Sequence, residues 1–136
     1  MVEQMKRIKV LFLAALLTVG MMGIAPRVEA ANWVWAWSTD YATIKIDADS
    51  CRWVDDAIYF WDDWCYKTSQ KETKSHCVMY LGRDGTLYHK TLYSIEYSKN
   101  GHRIKERDYS SSDFTPLSPG CIGEEEYKMA KKYARY

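Results

Sequence analysis

Between residues 32 and 109 the apolar side chains fall largely on every second position, and short polar turns break the runs. An antiparallel sheet buries one face of such a pattern, because successive strand residues point to opposite sides. Residues 32–38 place Trp33, Trp35 and Trp37 on one side and Val34 and Ala36 on the other, and the three tryptophans are read as a single buried face. Residues 41–47 continue with Ala42, Ile44 and Ile46 together, so the first two strands form a hairpin. After a polar, turn-prone stretch over residues 47–56, residues 57–67 read as one long strand rich in aromatic and β-branched side chains.

The polar segment 68–75 reads as a loop, and strand character resumes over residues 76–81, before the Arg83-Asp84-Gly85 turn. Residues 86–97 and 102–109 flank Asn100-Gly101, a pair suited to the positive φ angles of a type I′ hairpin turn. A loop over residues 110–118 leads to Pro119, which can open a helix because its missing N–H would be unpaired there. Glu124, Glu125 and Glu126 early and Lys128, Lys131, Lys132 and Arg135 late match the helix dipole, and Ile122, Glu126, Met129, Ala130 and Tyr133 form a stripe at helical spacing. The expected fold is therefore α+β: an antiparallel sheet of about five to six strands with one C-terminal amphipathic helix.

Ahead of this domain, Lys6, Arg7 and Lys9 precede an apolar run over residues 10–24, and Val28-Glu29-Ala30 offers a small-residue cleavage pattern. That order is a cleaved export signal over residues 1–30, leaving a single domain over residues 31–136 with no membrane span. Removing Lys6, Arg7, Lys9, Arg27, Glu3 and Glu29 from 19 basic and 18 acidic side chains leaves 15 against 16. A nucleic-acid partner calls for surplus positive charge, so that class is excluded. Cys51, Cys65, Cys77 and Cys121 all follow the leader, and an even number in an exported chain reads as two disulfides with three possible connectivities. Their spacing matches no common zinc module, so no metal is expected.

No catalytic set emerges. Asp47-x-Asp49 begins like a calcium loop, but Arg52 stands where glycine is needed and Ile58 where a bidentate Glu is expected. Asp62 and Asp63 are adjacent on a strand and point to opposite faces, and Glu96 with Glu106 is the other formal acid pair. His76, His89 and His102 have no ligand spacing, and no G-x-S-x-G turn supports a triad. Trp53, beside Arg52 in the polar turn, is the candidate surface contact among six tryptophans and eleven tyrosines.

The mature chain resembles the surface-adhesin protein E-like family of small exported bacterial proteins. The residues that carry the resemblance are the Trp-rich opening strand, Ile46-Asp47-Ala48-Asp49-Ser50, the long strand from Ala57, His76-Cys77, the hairpin from Ser94 to Gly101, and Pro119-Gly120-Cys121-Ile122-Gly123-Glu124. The resemblance implies an antiparallel sheet with a terminal helix and adhesive binding. It also implies the pairings Cys51 with Cys121 and Cys65 with Cys77. The functional expectation is an exported binding or structural module, periplasmic, surface-bound or secreted, with a protein or glycan partner, no enzyme activity and no cofactor. The alternatives are a small envelope-polymer hydrolase, and a subunit or inhibitor of an envelope complex.

Overall fold

The computed structural model describes residues 31–136; the export signal expected over residues 1–30 lies outside the described residues. Eight antiparallel strands form one sheet: β1 (Trp33–Ser38), β2 (Ala42–Asp47), β3 (Arg52–Val54), β4 (Ala57–Tyr66), β5 (Glu72–Leu81), β6 (Leu87–Tyr97), β7 (Arg103–Asp108) and β8 (Thr115–Pro116). One helix, α1 (Ile122–Tyr133), closes the chain. No described helix is long and apolar enough to cross a membrane.

The three long strands β4, β5 and β6 are the frame, and each outer edge of that frame carries two short strands. β2 pairs with β4 from Asp62 to Tyr66, while β3 pairs with the other end of the same edge, from Ala57 to Tyr59. On β6, β7 takes Tyr93 to Tyr97 and β8 takes Tyr88 and His89. This edge-sharing explains why the strand count exceeds five to six: β3 and β8 are too short for a period-two signal to register.

β5 begins at Glu72, earlier than its apolar residues suggest, because Thr73 and Ser75 are bonded into the ladder opposite Trp64 and Asp62. The Asn100-Gly101 turn is also of another type. Gly101 alone has positive φ, +81°, and its N–H donates to the Ser98 carbonyl at 2.9 Å, while Ser98 N–H donates to the His102 carbonyl at 2.8 Å. That is a three-residue loop with glycine in the left-handed position, and Asn100 keeps an ordinary backbone.

One face of the sheet carries Ala36, Ala42, Ile44, Ile46, Ile58, Phe60, Cys77, Met79 and Leu87, all buried, and α1 packs against it through Ala130. The face presented by β1 is the reverse of the expected one. Val34 lies opposite Ile46 and packs on the core, whereas Trp35 and Trp37 are 54% and 40% exposed. Alternation identifies which residues share a face, but β2's isoleucines decide which face is covered. An extra residue between Trp35 and Trp37 then bulges the strand at the sheet edge.

The disulfide expectation is corrected as well: all four cysteines are free thiols. Cys77 lies opposite Phe60, five residues along β4 from Cys65, which at strand rise is roughly 16 Å. Cys51 accepts the Arg135 backbone N–H beyond the end of α1, while Cys121 caps its start. The 12-residue helix between them is about 18 Å long. A disulfide needs Cα atoms within roughly 7 Å, so neither pairing can close on this backbone.

Candidate acidic pocket

Where the apolar core face runs out along β4, its alternation continues with Asp62, Trp64 and Tyr66. Phe60 is opposite Cys77, Asp62 opposite Ser75 and Trp64 opposite Thr73, so these polar residues point to the side on which the helix packs. The first turns of α1 and the loop before it approach this stretch. Between them lies a pocket of about 470 Å³, lined by Asp62, Trp64, Tyr66, Thr73, Ser75, His89, Thr91, Leu117 and Cys121, with Ile122, Gly123 and Glu126 from the helix. Its size lies within the roughly 300 to 1,000 Å³ typical of small-ligand sites.

Two acids meet at the pocket wall. Glu126 follows Ile122 by four residues and precedes Ala130 by four, so the apolar stripe that seats α1 carries the carboxyl inward. Asp62 is 3% exposed and Glu126 is 6% exposed. Each carboxyl perturbs the protonation of the other. Asp62 Oδ2 also accepts the Trp64 indole N–H at 3.2 Å and the Cys77 thiol at 3.7 Å. Asp62 Oδ1 and Glu126 Oε2 are buried with no partner.

Burial pushes Asp62 above its ordinary carboxyl value, and burial together with the Asp62 charge pushes Glu126 well above its own. Two carboxyls in this setting cannot both ionise cheaply, so the pair holds one proton between them. Burial also lowers the pKa of His89 on the pocket lining, which leaves that imidazole neutral. Burial of the Cys77 thiol, reinforced by the nearby Asp62 and Glu126 charges, pushes it well above the ordinary thiol range. The pocket thus offers unpartnered acceptors, an aromatic flank from Trp64 and Tyr66, and neutral donors around it.

Asp62 enters the pocket while Asp63 points to the other face, as strand alternation requires. Glu96 and Glu106 do not meet: Glu96 is opposite Lys105, and Glu106 bonds Tyr93 and Arg103 on the surface. Asp47 is a cap, accepting from the N–H groups of Asn32 and Asp49, each at 3.1 Å.

The histidines are dispersed: His76 is stacked on Trp61, His89 lines the pocket and His102 lies at the exposed hairpin. Ser75 and His89 both line the pocket, yet His89 is opposite Met79, four positions from Ser75, so no Ser/His pair forms. Arg52 is exposed, with its guanidinium 5.8 Å from the Tyr59 ring centre. Trp53 is not a free surface residue: it is half-buried, stacks on Tyr136 at 6.1 Å between ring centres, and donates its backbone N–H to Arg135 at 2.6 Å. The polar sequence around Trp53 concealed its pairing with β4 and with the C-terminal residues.

The Asp62–Glu126 pair joins residues 64 apart in the chain, and local spacing carries no trace of it. The one available signal was a glutamate inside the helix's apolar stripe. Comparison of the chain with family models, with curated proteins and with solved structures finds no match.

Proposed function

We propose that the protein is an exported, adhesin-like binding module of the surface-adhesin protein E-like kind, and that its pocket receives a primary ammonium group, such as a lysine side chain of a partner protein. The observation that carries this reading is the pair of buried carboxyl oxygens, Asp62 Oδ1 and Glu126 Oε2, left without donors in two residues that line an open pocket. An ammonium group brings three donors and a positive charge, and it can take the place of the shared proton. Trp64 and Tyr66 supply faces for the aliphatic stem and for cation–π contact.

Calorimetric titration with Nα-acetyl-lysine amide tests the reading against its norleucine analogue, which has the same stem without the amine. Binding of the lysine derivative alone, lost in Asp62→Asn, is the expected result. Equal binding of both compounds, or of neither, contradicts it. Export is tested separately by the mass of the protein recovered from its host, which should begin at Ala31.

One observation favours an enzyme as the second reading. Two carboxyls sharing a proton beside an open pocket can activate a water between them, as acid dyads do. Acid dyads that share a proton cleave amide bonds in the aspartic proteases, so the substrate of such a hydrolase would be a peptide. Release of new amino termini from envelope peptide material, abolished in Glu126→Gln, would establish it.

A further inference from the structure

We propose that Asp63, Cys65 and Glu72 form a binding site for a divalent zinc-class ion on the sheet face opposite α1, independent of the acidic pocket. Asp63 and Cys65 are two apart on β4 and share a face, and Glu72 is the cross-strand partner of Cys65 on β5. One donor atom from each lies within 4.8 Å of the other two. Tetrahedral zinc with sulfur and oxygen ligands sets its donors roughly 3.3 to 3.5 Å apart. Side-chain rotation closes that difference, and the strand backbone already holds the three in register.

A second observation points to a ligand. Asp63 is 5% exposed, and its Oδ1 is buried with no hydrogen-bond partner. A buried acceptor without a donor is costly, and a coordinated cation satisfies it directly. Glu72, with 31% of its side chain exposed, keeps the site open to entering ions and leaves a fourth position for water.

The neighbours decide which ion fits. Lys45 lies opposite Asp63 on β2, and Lys74 Nζ lies 3.4 Å from Glu72 Oε1 and 4.9 Å from the Tyr97 ring centre. These two ammonium groups offset the two carboxylates, so the site is no general trap for hard cations. Magnesium and calcium take oxygen ligands, whereas zinc and cobalt accept sulfur with oxygen, so the Cys65 thiolate sets the choice. When the ion enters, Cys65 gives its proton to the buffer, as does any protonated carboxyl of the site, and Lys74 releases Glu72 while staying over the Tyr97 ring.

Cobalt(II) titration of the purified, reduced protein reads the site, because a thiolate ligand gives a near-ultraviolet charge-transfer band. One equivalent should saturate the band, and zinc should bleach it. The band should vanish in Cys65→Ser, persist in Cys121→Ser, and require at least tenfold more cobalt in Glu72→Gln. No band in the wild type, a band retained in Cys65→Ser, or unchanged affinity in Glu72→Gln overturns the proposal. Should Cys65→Ser fail to fold, Glu72→Gln alone decides, its side chain being about a third exposed.

Discussion

Replacing Glu126 by glutamine should make the protein more stable at neutral pH, although the residue is buried. In the native state Glu126 keeps a proton that the same side chain loses in the unfolded chain above its ordinary value of 4.5. The native state therefore binds more protons than the unfolded state, and stability falls as pH rises from that value toward the raised native one. One retained proton gives a slope of about 1.4 kcal/mol per pH unit over the range in which only the native state holds it.

Glutamine donates to Asp62 through its amide N–H without titrating, so Glu126→Gln removes this contribution to the slope. Urea unfolding followed by tryptophan fluorescence reads the difference. At about 1.5 kcal/mol per molar urea, the variant's midpoint should gain about 1 M on the wild type's for each pH unit over which the proton is held, with the gap closing toward pH 4.5. Midpoints that run parallel from pH 4.5 to pH 8 would refute the shared-proton argument.

Other outcomes follow from the packing. Phe60 is fully buried beneath α1, so Phe60→Ala should cost about 3 to 5 kcal/mol in the same unfolding assay. Gly101 has a φ of +81°, so Gly101→Ala should cost about 1 kcal/mol, whereas Asn100→Ala should be nearly neutral. Unfolded without reductant, the protein should titrate four thiols with Ellman's reagent; none would restore the two-disulfide expectation. Deleting Arg135 and Tyr136 should raise acrylamide quenching of Trp53 fluorescence, measured with the other tryptophans replaced by phenylalanine.

The parts of the fold legible in the sequence were those written in local periodicity. Ala42, Ile44 and Ile46 mark β2, the aromatic run from Ala57 marks β4, and the Ile122 to Tyr133 stripe marks α1. What failed depended on partners distant in the chain. The side of β1 that is covered depends on β2 and the helix, so alternation within β1 alone puts the tryptophans on the wrong face.

Arg52 to Val54 became a strand only because β4 is long enough to offer edge beyond β2. The cysteine pairings followed from resemblance and parity, and strand register together with helix length excludes them. The case for export accordingly rests on the charged, apolar and small-residue order of the first thirty residues. In the sequence Asp62 is one of two adjacent acids, but its partner in the fold is Glu126, which local spacing places in a dipole-favouring acidic run.

The most direct test of the ammonium-binding account uses the Trp64 indole N–H, which donates to Asp62 Oδ2 at 3.2 Å and so reports on the carboxyl pair itself. Its proton–nitrogen resonance should shift on titration with Nα-acetyl-lysine amide, with tighter binding at pH 8 than at pH 5, and should stay in place with the norleucine analogue. An indole resonance unmoved by saturating lysine derivative, or moved equally by both compounds, would contradict the account.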